Sequence, residues 1–139
     1  MNVVDSSAWL EYFGDGPNAA QFSGVIEAPN ELVVPSLTLF EVFTRACQLT
    51  DEATALEAVS VMLQGRIVEL SATLSIDAAR LSLATGLAMA DAIILASARS
   101  EDAVLWTQDA HFRELGGVEF RERQGTAGQQ AHAADSAPA

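Results

Sequence analysis

Hydrophobic and polar positions along this chain switch repeatedly between a two-residue and a helical period. The opening "MNVVDSS" sets a β-branched run before an acid, the pattern of a short buried strand ending near Asp5. "SAWLEYF" then takes helical spacing, with Ser6 or Ser7 placed to cap it, until Gly14, Gly16 and Pro17 break the pattern. Residues 17–28 predict a second helix, and "ELVVP" a second strand stopped by Pro35. Ser36 stands where a cap is wanted for a helix over "LTLFEVFTRACQL". "DEATALEAVSVMLQ" predicts another helix, with acids in its first turn where the helix dipole favours them. "RIVEL" is a third strand, and residues 73–85 and 88–101 are two helices divided near Gly86. "AVLWTQD" is a fourth strand, "AHFRELGG" a short helix with a glycine stop, and "VEF" a last strand. Strands alternating with helices predict an α/β domain whose parallel sheet is covered on both faces. Trp9, Phe13, Phe40, Phe43 and Cys47 are expected in its core. From residue 124 onward "QGTAGQQAHAADSAPA" has no periodicity, so residues 1–123 form the expected domain and 124–139 a disordered tail.

One residue breaks the pattern from inside. In "GLAMADAIILASAR", Asp91 shares a helical stripe with Ile94, Leu95 and Ala98, at i, i+3, i+4 and i+7. A buried carboxylate without a partner takes up a proton or finds a cation. Three more acids are expected at the same place. Sites in open parallel sheets lie beyond the carboxyl ends of the strands. Asp5 ends the first strand, Asp109 ends the fourth, and Glu41 lies in the first turns of the helix after the second strand. The helix carrying Asp91 must run antiparallel to the strands, so its beginning belongs to that edge too.

Two carboxylates ~4 Å apart repel by ~4 kcal/mol at an effective dielectric near 20, so such a cluster protonates or holds a divalent ion. Oxygen ligands alone favour Mg²⁺ or Mn²⁺ over zinc. Each acid also has a plainer use. Asp5 and Asp109 can cap the following segments, and Asp91 can be an acid favoured at a helix start. Glu41 and Arg45 at i, i+4 can form a surface pair worth ~0.3–0.5 kcal/mol.

Composition narrows the classes. A chain of 139 residues, half of them hydrophobic, suits one globular domain. No apolar run reaches the ~18 residues of a membrane span, and the N-terminus lacks the basic region of a signal peptide. A single cysteine, Cys47, cannot form an internal disulfide, and with only His111 and His132 beside it a zinc site is disfavoured. A cytoplasmic location is the expectation. His111 is expected to be a surface or packing residue rather than a base. The net charge is −12 and all seven basic residues are arginines, so long-range attraction to nucleic acid or anionic membranes is excluded. A receiver-type phosphoacceptor would want a lysine, which the chain lacks, and a dehalogenase-type phosphatase a second aspartate where Ser7 stands.

"VVDSSAWLEYF", "SLTLFEVFTRA", "GLAMADAIILASA" and "VLWTQDAHF" together resemble the PIN-domain family, and within it the VapC-type toxin ribonucleases. The resemblance implies a three-layer α/β/α fold around a parallel sheet of four to five strands. It implies a Mg²⁺- or Mn²⁺-dependent endoribonuclease, the toxin of a type II toxin–antitoxin pair, with a cognate antitoxin, RNA as substrate and homodimerisation. Asp5, Glu41, Asp91 and Asp109 match its four acids, with Asp5 and Asp91 first as metal ligands. Ser6 and Thr107 match its small hydroxyls near the acids. Arg45 and Arg99 are candidate RNA contacts, and the acidic surface suits an antitoxin with a basic toxin-binding segment. The rival reading is a PIN-fold binding or regulatory protein without relevant catalysis.

Overall fold

The computed structural model describes residues 1–124. The expected tail, apart from its first residue, lies outside them. Five parallel strands form one sheet: β1 (Asn2–Val4), β2 (Leu32–Pro35), β3 (Arg66–Val68), β4 (Val104–Thr107) and β5 (Val118–Phe120). Their spatial order is β3-β2-β1-β4-β5, with β1 at the centre. The helices are α1 (Ser6–Phe13), α2 (Ala19–Ile26), α3 (Ser36–Leu49), α4 (Glu52–Met62), α5 (Ala72–Thr85) and α6 (Met89–Ser100). The expected α/β class, its parallel sheet and its five strands along the chain are all present.

The two sheet faces carry separate cores, because successive strand residues point to opposite sides. Val3 and Val33 pack with Leu74, Ala78, Ile94, Leu95 and Leu105 under α5 and α6. Val4, Leu32 and Val34 pack with Trp9, Phe22, Val42 and Met62 under the first four helices. This is the three-layer α/β/α arrangement. Among the described residues no single helix is long and apolar enough to cross a membrane.

Connections leave β1 in one direction to β2 and β3, then return to its other side as β4. The reversal opens a crevice beyond the carboxyl ends of β1 and β4. Asp5 and Asp109 stand on its two sides. The turn into α6 depends on Gly86, which takes φ +81° after α5, a left-handed conformation that costs a residue with a Cβ. The two helix axes meet there at a bend of 115°.

Several local expectations change. The cap of α3 is Pro35, and Ser36 is its first helical residue. Asp5 occupies the cap position of α1, so Ser6 and Ser7 fall inside its first turn. Of residues 17–28 only Ala19–Ile26 are helical, as α2, and a 3-10 turn, Pro29–Glu31, follows before β2. "AHFRELGG" forms no α-helix, only a 3-10 turn over Ala110–Phe112, because the Asp109 side chain accepts the His111 amide at 2.9 Å and closes the chain on itself. Trp9 is core, but Phe40 is 68% exposed. Helix α3 buries Thr38 and Val42, and Phe40 points about 200° round from Thr38. Phe13, Phe43 and Cys47 are half-buried rather than core.

Candidate active site

The crevice gathers acids from four separate segments. Asp5 leaves β1 fully enclosed, yet makes no capping bond to α1. Its Oδ2 instead accepts from Ser7 Oγ at 2.7 Å and Thr107 Oγ1 at 2.9 Å. Thr107, at the end of β4 and wholly buried, uses the same oxygen to accept the Asp109 amide at 2.9 Å. One hydroxyl thus ties the acid after β1 to the acid after β4. Glu41, half-buried on α3, accepts from Ser6 Oγ at 2.6 Å. It forms no ion pair with Arg45, whose guanidinium donates to Gln48 Oε1 at 3.2 Å. The plain surface-pair reading of Glu41 is therefore set aside. Asp91 sits in the first turn of α6, with Ile94, Leu95 and Ala98 of its stripe buried beneath it.

Burial and neighbouring charge act together on Asp5, Glu41 and Asp91. Burial pushes the Asp5 carboxyl above its ordinary value, the hydroxyls of Ser7 and Thr107 oppose that, and Asp109 adds to it. Glu41 is raised by burial and then by the charges of Asp5 and Asp109, against the Ser6 hydroxyl. Asp91 is raised to about 6, first by burial, then by Asp109 and Asp5, with His111 pulling the other way.

The tightest donor set is not the pair that the resemblance puts first. Asp91, Asp109 and His111 each offer one atom within 4.8 Å of the others. His111 Nδ1 lies 3.2 Å from Asp109 Oδ1 and 3.4 Å from Asp91 Oδ2. The ring is exposed, as expected, but it belongs to the site rather than to a plain surface. Its position two residues past Asp109 is the signal in the sequence, while the turn that brings it back is not. Two carboxylates and an imidazole, beside two further acids held above their usual range, fit a divalent cation.

Ser7 is the second residue that pattern reading misses in this role, because a serine after Asp5 reads as a helix cap. Gln108 is the third. It is buried, donates to Glu11 Oε1 at 3.2 Å and accepts from Asn18 at 3.0 Å. Asn18 also donates to the Glu122 carbonyl at 2.9 Å, stitching the end of the fold to the rim. Arg45 and Arg123 line a cleft with Ser6, Ser7, Glu41 and Gln108. Arg99 does not join them. It lies two turns beyond Asp91, ~12 Å along α6, and donates to the Gly116 carbonyl at 2.8 Å at the opposite edge of the sheet.

The model of the PIN domain matches residues 3–118. The chain belongs to the PIN domain family. Solved structures agree with this PIN domain in fold. A toxin–antitoxin complex from Klebsiella pneumoniae aligns at TM-score 0.72 and 23% identity, over 86% of this chain and 96% of that one. VapC20 of Mycobacterium tuberculosis, described as a sarcin-ricin loop cleaving toxin, aligns at TM-score 0.73 and 20% identity, over 88% of this chain and 100% of that one. VapBC2 from Rickettsia felis, bound to a DNA fragment from its promoter, aligns at TM-score 0.66 and 16% identity, over 86% and 96%. Among curated proteins none matches this PIN domain in sequence.

Proposed function

We propose that this PIN domain is a Mg²⁺- or Mn²⁺-dependent endoribonuclease, the toxin half of a type II toxin–antitoxin pair acting in the cytoplasm. The observation that supports the reading is the Asp91, Asp109 and His111 donor set at the reversal point of the sheet, with the charges of Asp5 and Glu41 also acting on Asp91. A cluster so costly is retained where a cation offsets it. The VapC20 likeness adds RNA as the substrate class, and the complexes add an antitoxin.

Asp5, Glu41, Asp91 and Asp109 would hold the ion, with His111 beside them. When bound, it supplies a water of lowered pKa and neutralises charge that builds on the phosphoryl group. The chain's own residues do the rest. Ser7 and Thr107 hold the Asp5 carboxylate in one orientation, and Ser6 does the same for Glu41. Thr107 also fixes the start of the turn that presents Asp109. Arg45 and Arg123, beside the acids, offer guanidinium groups to the phosphates flanking the reacting one.

The antitoxin segment that covers this rim is basic by charge complementarity with a chain of net charge −12. Homodimerisation has an apolar face available on α5 and α6, where Leu83 and Met89 are 89% and 76% exposed. Light scattering of the purified chain tests it.

The alternative, a PIN-fold partner without catalysis, is favoured by one feature, the lack of any lysine to attract RNA. RNA cleavage assayed with Mg²⁺, Mn²⁺ and chelator decides between them. Cleavage that needs the ion and is lost in Asp5→Asn supports the nuclease. Absence of cleavage with either ion, over a panel of structured and unstructured RNAs, supports the partner.

A further inference from the structure

We infer that His111 is a nitrogen ligand of the metal centre and shifts its preference from Mg²⁺ toward Mn²⁺. The inference rests on the metal-dependent reading above and concerns which ion the site takes. Its Nδ1 atom stands 3.2 Å from Asp109 Oδ1 and 3.4 Å from Asp91 Oδ2. Adjacent ligands of a six-coordinate ion with bonds of ~2.1 Å stand about 3 Å apart. The imidazole is thus already near ligand spacing from both carboxylates.

The turn that carries the ring is fixed on three sides. Phe112, the next residue, is fully buried. The His111 amide donates to Asp109 Oδ1, and the Asp109 amide donates to Thr107 Oγ1, each at 2.9 Å. Asp109 and His111 therefore face Asp91 as a unit from one short turn. Mg²⁺ binds oxygen and keeps its waters, and gains little from an imidazole. Mn²⁺, a softer ion than Mg²⁺, accepts imidazole nitrogen together with carboxylate oxygen more readily. The competing use of the contact is an ion pair between a protonated ring and two acids, which would favour neither metal.

The test uses the full-length chain loaded with Mn²⁺. Pulsed electron paramagnetic resonance is expected to show nitrogen hyperfine coupling that survives in His132→Ala and disappears in His111→Ala. Calorimetric titration is expected to show Mn²⁺ affinity falling at least about tenfold in His111→Ala, the lower bound for losing even a supporting group, with Mg²⁺ affinity falling much less. Mn²⁺ bound without nitrogen coupling, or equal losses for both ions, overturns the inference and leaves the nuclease proposal standing. If neither ion binds the unaltered protein, the nuclease proposal falls and takes this inference with it.

Discussion

Asp91 is where sequence pattern and site chemistry conflict, and the conflict has a sign. Its folded carboxyl keeps a proton to about pH 6, against an ordinary 3.8. The folded state therefore binds that proton more tightly than the unfolded chain does. Its contribution to stability is complete below 3.8 and is lost as pH rises through about 6. Without metal, the protein should melt progressively lower between these values, and Asp5 and Glu41, also raised, add to the same trend. Asp91→Asn should flatten the profile, leave the chelated protein at least as stable at pH 7, and reduce RNA cleavage to the level seen with chelator. Thermal melts in chelator and cleavage assays check each half. A steeper melting profile in the variant would reverse the electrostatic account. Thr107→Val keeps the shape of the side chain but removes the donor to Asp5 and the acceptor of the Asp109 amide. A cost of about 1–3 kcal/mol is expected from the groups left unpaired, read from denaturant unfolding.

Elements were legible in proportion to how far hydrophobic burial alone dictates them. All five strands were visible because each is a short β-branched or aromatic run that one or both cores need. The helices were visible because their apolar stripes face those cores. Edges and turns were not, since side-chain hydrogen bonds decide them. The Asp109 carboxylate closes a 3-10 turn where helical spacing predicted an α-helix, and so brings His111 back over the acids. The same limit hid Ser7, whose hydroxyl serves Asp5 rather than a helix end. The acids themselves were legible because topology, not detail, sends strand ends and helix starts to one edge. Asp91 depends on the α5–α6 break for its place there. Gly86→Ala forces a Cβ into φ +81° and should cost about 1–2 kcal/mol. A melting shift matched by weaker metal binding would show that the break also sets the position of Asp91.

At the scale of the whole molecule, the acidic surface gives its two expected macromolecular partners opposite responses to salt. RNA meets a chain of net charge −12, so screening should speed encounter as ionic strength rises toward ~0.1 M, where the Debye length is ~10 Å. A basic antitoxin segment should bind more weakly over the same range. Cleavage rates at limiting RNA and fixed Mg²⁺, set beside titrations of the complex, check the pair of trends. If both fell together, the arginines near the acids would dominate the encounter rather than the net charge. The two ends of the described residues lie apart in a useful way. Met1 enters at the edge opposite the acids, its carbonyl held by the Val104 amide at 3.0 Å. Glu122 is fastened by Asn18 to the rim of the crevice, and Arg123 borders its cleft. A surface tether or purification handle placed ahead of Met1 therefore leaves the approach clear for a bulky ligand, whereas cargo joined directly after Arg123 would set out from the doorway itself.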